Sequence, residues 1–107
     1  GIAVADGSTG EQGLTGNTLL EANRWYFLVG TWDPISRQYR LFVDGRPEPT
    51  VGYQVGNGIN ASSQTTLKIG AQAVPQFERR FHGLIDEVML FEATLDEEAV
   101  GRLYRGE

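Results

Sequence analysis

The sequence predicts an all-β, antiparallel β-sandwich with one short C-terminal helix. Three observations carry this: the apolar runs are short, Gly, Asn, Asp and Pro separate them, and helical spacing is confined to the end of the chain. Expected strands are residues 2–5, 18–21, 25–31, 38–43, 53–55, 66–70 and 83–91. Residues 25–31, beginning Trp25-Tyr26-Phe27-Leu28-Val29, are apolar at nearly every position. A strand of that kind belongs at the centre of the domain with both faces covered, and Trp25 and Phe27 are expected in the core. The turn formers of Asp33-Pro34-Ile35-Ser36-Arg37 join it to the next strand as a hairpin, and Asp44-Gly45 marks the following tight turn. Leu41 and Val43 alternate with Arg40 and Asp44, as Leu67 and Ile69 do with Thr66 and Lys68, whereas Phe42 breaks the alternation. At the end, Thr94 with Glu97 fits a capping box, Asp96 is an alternative N-cap, and Val100, Leu103 and Tyr104 share one helical face. Residues 6–16 and 55–64 read as loops by composition.

At 107 residues the chain makes one domain, because a chain of this size buries roughly 60 to 65 per cent of its unfolded surface around a single core. It has no Cys, so neither a disulfide framework nor thiol chemistry enters. Nine Lys and Arg against 14 Asp and Glu give a net charge of -5, which provides no attraction for nucleic acid or an anionic membrane. No apolar run is long enough to span a bilayer, and Gly1-Ile2-Ala3-Val4 lacks the basic region of a signal peptide. The expectation is a mature or excised piece, or part of a larger exported protein.

A series of motifs adds to this reading: Trp25, Thr31-Trp32-Asp33, Val43-Asp44-Gly45, Leu67-Lys68-Ile69-Gly70, Gly83-Leu84-Ile85-Asp86-Glu87-Val88 and Leu95-Asp96-Glu97-Glu98. In type and order they resemble the laminin-G-like jelly roll of the concanavalin-A-like lectin and glucanase group, over residues 24–104. The resemblance implies a jelly-roll sandwich, an extracellular or cell-surface location, and a carbohydrate or protein ligand. Such domains usually carry several strands before the tryptophan-led one, whereas here 24 residues precede Trp25. The chain therefore looks like the C-terminal portion of a jelly roll or a minimal version of one. Another copy, another polypeptide segment or a fibre neighbour is expected to complete the sheets.

Asp86 and Glu87 raise the question of glycoside hydrolysis. On a strand, neighbours point to opposite faces. Asp86 and Glu92 share a face but, at about 3.3 Å per residue, stand roughly 20 Å apart, beyond the roughly 5 to 9.5 Å that paired catalytic carboxylates need. The expectation is no enzyme. For the carboxylate on an inner face, two readings stand: a structural one, in which it pairs with Arg40, Arg79, Arg80 or Lys68 or accepts hydrogen bonds from loop amides, and a structural Ca²⁺ held by Asp86 with backbone carbonyls, as in many jelly rolls of this appearance. Residues 6–11, Asp6-Gly7-Ser8-Thr9-Gly10-Glu11, are oxygen-rich but lack EF-hand spacing and read as an ordinary loop. His82 is the single histidine, which rules out a His-based metal cluster or triad within the chain, and Ser62 and Ser63 have no matching partners. Asn60-Ala61-Ser62 fits the N-glycosylation pattern.

The aromatics are expected mostly in the core. Trp32 beside Asp33, and Tyr53 beside the Gly-rich loop containing Asn57, are the expected ligand contacts at the rim. The sequence thus points to a non-catalytic recognition or adhesion module, with a structural subunit that assembles through exposed sheet edges as the alternative.

Overall fold

The computed structural model describes residues 2–5, 11–49, 51–52, 69–71 and 80–107. The chain divides into two units, Gly1–Asn60 with Phe91–Glu107, and Ala61–Leu90. The first contains β1 (Ile2–Ala5), β2 (Glu11–Thr15), β3 (Leu28–Asp33), β4 (Gln38–Val43), β5 (Arg46–Pro47), β6 (Val51–Gly52) and α1 (Glu97–Tyr104). Two three-stranded sheets form, in the orders β1-β2-β6 and β3-β4-β5, with every pairing antiparallel. β2 also meets β4, so the two sheets touch.

In the first sheet Ile2 pairs with Leu14 and Ala5 with Glu11, while Leu14 pairs with Gly52. β2 lies inside the stretch expected as a loop. Its residues have weak strand propensity, and the ladders to two other segments supply what local preference does not. Conversely, residues 18–21 form no strand; a turn at Ala22-Asn23, with Asn23 at φ 62°, follows them.

In the second sheet, β3 and β4 pair from Leu28↔Val43 to Asp33↔Gln38 across the expected hairpin turn, where Arg37 takes φ 56°. β4 and β5 are joined by Asp44 at φ 50° and Gly45 at φ 79°, the pair of positive φ values that a two-residue type I′ hairpin requires. β3 starts at Leu28, three residues later than the apolar run suggests. Asp44 explains where it starts: its N–H donates to Phe27 O at 2.8 Å and its Oδ1 accepts from Phe27 N–H at 2.9 Å, so the turn takes up the backbone groups of residue 27. Trp25, beyond that point, is 63% exposed and lies outside the core, contrary to its sequence assignment; Phe27 is half-buried.

The pleat places Tyr39 and Leu41 on one face of β4 and Arg40 and Phe42 on the other. Tyr39 packs with Trp32 and Leu41. On the opposite face Phe42 is 1% exposed, the Arg40 guanidinium lies 5.0 Å from its ring centroid, and Arg40 Nη2 reaches Glu97 Oε2 of α1 at 3.5 Å. Phe42 breaks the alternation because this strand is covered on both faces.

Helix α1 is capped by Asp96, whose Oδ1 accepts from Ala99 N–H at 2.8 Å, with Glu97 and Glu98 favourably placed in the first turn. Thr94, the other expected cap, bonds elsewhere. Val100 is fully buried, and complete burial of a side chain like Val100 or Phe42 contributes about 1.5–3 kcal/mol. Tyr104 lies over Gly45, where a Cβ would stand 2.9 Å from its Cδ1, and its ring centroid is 5.9 Å from that of Phe27. The second hairpin turn thus doubles as the seat of the helix.

In the second unit Ala71 and Arg80 form one antiparallel bridge, and Phe81 N–H donates to Gly70 O at 2.7 Å. Residues 83–91 join no ladder among the described residues. Asp86 Oδ1 accepts from Glu87 N–H at 2.8 Å, and Glu87 has φ 50°. A short acidic side chain that binds the next amide competes with a ladder, and a left-handed residue ends the two-residue alternation. The opposite-face placement of Asp86 and Glu87 derived from a regular strand therefore does not hold at this point. Of the other expected strands, residues 53–55 and 66–68 lie outside the described residues, and Ile69-Gly70 form a bend.

Candidate functional site

The expected ligand contacts Trp32 and Asp33 stand at the β3–β4 corner. Trp32 ends the apolar part of β3, and its ring meets that of its cross-strand partner Tyr39 with centroids 4.6 Å apart and planes inclined by 34°, a contact worth about 0.5–1.5 kcal/mol beyond area burial. Its carbonyl accepts from Thr94 Oγ1 at 2.5 Å, so the segment entering α1 fixes the end of the strand. Asp33 accepts from Ile35 N–H at 2.9 Å, forming an Asx turn. That bond foremost, helped by Ser36 and opposed by partial desolvation, holds the Asp33 carboxyl below the usual carboxylate range. Asp33 thus shapes the hairpin tip, where Ile35 is 93% exposed. The corner combines a half-buried indole, a stiffened turn and an exposed aliphatic side chain.

A second constellation was hidden in the sequence. Glu48 collects three donors: Asn17 N–H at 2.7 Å and Thr18 N–H at 2.8 Å on Oε2, and Thr18 Oγ1 at 2.5 Å on Oε1. The Thr18 hydroxyl, then the Thr18 and Asn17 amides, lower its pKa against an opposing desolvation. The carboxylate approaches because Gly16 has no side chain; a Cβ there would stand 3.0 Å from Glu48 Oε2. Further along, Tyr26 OH accepts from Glu21 N–H at 2.9 Å, Arg24 Nη2 reaches Asp44 Oδ2 at 3.3 Å, and the Arg24 guanidinium lies 4.6 Å from the Tyr26 ring centroid. Between these ties Leu19, Leu20 and Trp25 are 91%, 51% and 63% exposed. Only the Gly, Asn and Thr of Gly16-Asn17-Thr18 hinted at an anion-binding turn, and nothing nearby in sequence named Glu48 as its anion.

Tyr53 and Asn57, the other expected ligand contacts, lie outside the described residues, as do Asn60, Ser62 and Ser63. Asp86 is exposed in the second unit and engaged by Glu87 N–H. Among the described residues no three His, Cys, Asp or Glu side chains come together that could hold a metal ion. Arg40, proposed from sequence as a partner for the acidic pair, instead meets Glu97. Among the described residues no helix is long and apolar enough to cross a membrane.

Two antiparallel sheets that touch, with a short capped helix, define a domain of the β class. A family model described as the concanavalin A-like lectin/glucanases superfamily, Laminin_G_3, matches residues 1–101. The chain belongs to that family, whose fold is a β-sandwich and whose domains serve in general as carbohydrate- or protein-binding modules. The match also takes in the first 23 residues, where the motifs quoted above are silent. No curated protein and no solved structure matches the chain.

Proposed function

We propose that this domain is a non-catalytic extracellular or cell-surface recognition module of jelly-roll type. Its ligand is a carbohydrate or a protein surface, contacted at the β3–β4 corner. The observation that supports this reading is the anchoring of that corner: Trp32 rests on Tyr39 and is held by Thr94, while Asp33 stiffens a turn that presents Ile35 to solvent. Anchoring before binding removes part of the ordering cost that a ligand would otherwise meet. With the Trp32 ring against Tyr39, a ligand cannot stack on both indole faces.

The test is a glycan array and an array of extracellular-matrix proteins, probed with the wild type, Trp32→Ala and Ile35→Asp, each with added Ca²⁺ and with chelator. The expected result is a ligand on one array whose affinity falls tenfold or more in both variants. A ligand bound equally well by all three proteins would remove the corner from the site. Binding gained only with Ca²⁺ and lost in Asp86→Asn would give Asp86 the metal role expected from the family resemblance.

A further inference from the structure

Residues 17–27 lie between β2 and β3, and the two ends of this loop are held by bonds of different kinds. At the far end Phe27 shares two hydrogen bonds with Asp44, and one of them, Asp44 N–H to Phe27 O at 2.8 Å, joins backbone groups whose strength does not depend on the charge of a side chain. Next to it, Tyr26 OH accepts from Glu21 N–H at 2.9 Å and the Arg24 guanidinium covers the Tyr26 ring, which braces this half of the loop. At the near end Asn17 N–H, Thr18 N–H and Thr18 Oγ1 all converge on the Glu48 carboxylate, at 2.7, 2.8 and 2.5 Å. Glu48 is itself fixed to β4, its N–H donating to Leu41 O at 2.8 Å. Of the charged side chains on the surrounding elements, Arg24 of the loop pairs with Asp44 and Arg40 of β4 with Glu97, while Glu21 of the loop and Arg46 of β5 are exposed.

We propose that Glu48 is a latch released by protonation: when its carboxylate takes up a proton, residues 17–20 leave it and the loop opens about its Phe27–Asp44 end, which stays closed. Hydrogen bonds to an ionised acceptor are about twice as strong as those to a neutral one, and here one charge serves three donors. A proton on Glu48 therefore weakens every one of these ties together, while the backbone bond at the other end is untouched. The Thr18 hydroxyl, and then the Thr18 and Asn17 amides, hold the Glu48 carboxyl below its usual range against an opposing desolvation. The sign follows: with the folded value depressed, the latch is closed above the unfolded value and opens as pH falls through the folded one. The released segment carries Leu19 and Leu20, 91% and 51% exposed, so acid rearranges an apolar part of the surface. This inference is independent of the recognition reading, since it uses neither Trp32 nor Ile35.

Amide hydrogen exchange read by NMR between about pH 7 and about pH 3, with each rate referred to the intrinsic rate at its own pH, tests this. In the wild type the protection of the Asn17 and Thr18 amides falls about tenfold or more through one midpoint, while the Asp44 amide keeps its protection. Thr18→Val withdraws a donor from the charged form of Glu48 and moves the midpoint to higher pH. Glu48→Gln, with the far-UV circular dichroism of the wild type, leaves both amides poorly protected already at about pH 7 and has no midpoint. Thr18→Val keeps the test decisive should Glu48→Gln fail to fold, because it leaves the carboxylate and both amides in place. Protection at Asn17 and Thr18 that does not change with pH, a midpoint that Thr18→Val does not move, or loss of Asp44 protection at the same midpoint, which would make the event an unfolding of the hairpin, overturns the proposal.

Discussion

Residues 25–33 and 83–91 are the two most continuously apolar stretches of the chain, and they end in different states. The first enters a ladder from Leu28 to Asp33 because its partner follows at once through a turn stiffened by Asp33, and the next turn returns Asp44 to close the strand's start. The second joins no ladder among the described residues, and Asp86 takes the amide of Glu87 for itself. Strand propensity is thus a preference for a half-buried pleat, and it is realised where the chain also brings a partner. Local contacts close at small entropic cost, which is why the hairpin is the better organised of the two.

The contrast can be broken most strongly at Phe42. Replacing this fully buried ring by Ala removes the packing between β4 and its covered face, at an expected cost of about 3–5 kcal/mol; Leu90→Ala in the other stretch, at 74% exposure, should stay within about 0.5 kcal/mol. Urea midpoints at low protein concentration compare the two, and equal losses would show that both stretches are packed alike. Gly45→Ala comes next. The new Cβ meets both a left-handed φ of 79° and the Tyr104 ring, so about 2–3 kcal/mol is expected, with the Phe27–Tyr104 contact weakened in near-UV circular dichroism. Asp96→Ala removes the cap of α1 and should lower stability by about 1 kcal/mol, whereas Thr94→Val leaves helicity intact, and a loss of helicity in Thr94→Val would move the cap to Thr94.

Two smaller effects sharpen the same comparison. Glu87→Gly relieves a left-handed residue, at φ 50°, in the second stretch and is expected to raise stability by about 0.5–1 kcal/mol; a loss would mean that the Glu87 side chain makes contacts that outweigh the strain. Glu48→Gln probes the tied loop through pH. The folded pKa of Glu48 is depressed, so its contribution is fully present above the unfolded value and disappears as pH falls through the lower folded value. The wild-type urea midpoint should therefore drop more steeply than that of Glu48→Gln between about pH 5 and pH 3, and parallel curves would deny the carboxylate its role as a clasp.

Much of the fold was legible where the signals are local. The hairpin turn at residues 33–37, the type I′ requirement at Asp44-Gly45, β4 at residues 38–43 and the helix with Asp96 and Val100 all depend on residues within a few positions of each other. The family was legible for the same reason, since its motifs are turns and strand ends. What could not be read depends on distant partners. β2 exists through ladders to β1 and β6, Trp25 is exposed because Asp44 closes the strand two residues after it, and Thr94 serves Trp32 from 62 positions away. Of the expected ligand residues, Trp32 and Asp33 do stand together at one corner, but the conversion of Asp33 into a turn brace follows from where its carboxylate points.

The sequence by itself determined the β class, the antiparallel hairpin, the capped helix and the family, because turn chemistry, pleat alternation and capping act between near neighbours. Only the tertiary structure decided which apolar residues are covered and which carboxylates act as clasps. Burial and hydrogen bonding across 20 or 30 positions depend on what the folded chain brings alongside, as Glu48 shows by holding Asn17 and Thr18, and no local pattern encodes that company.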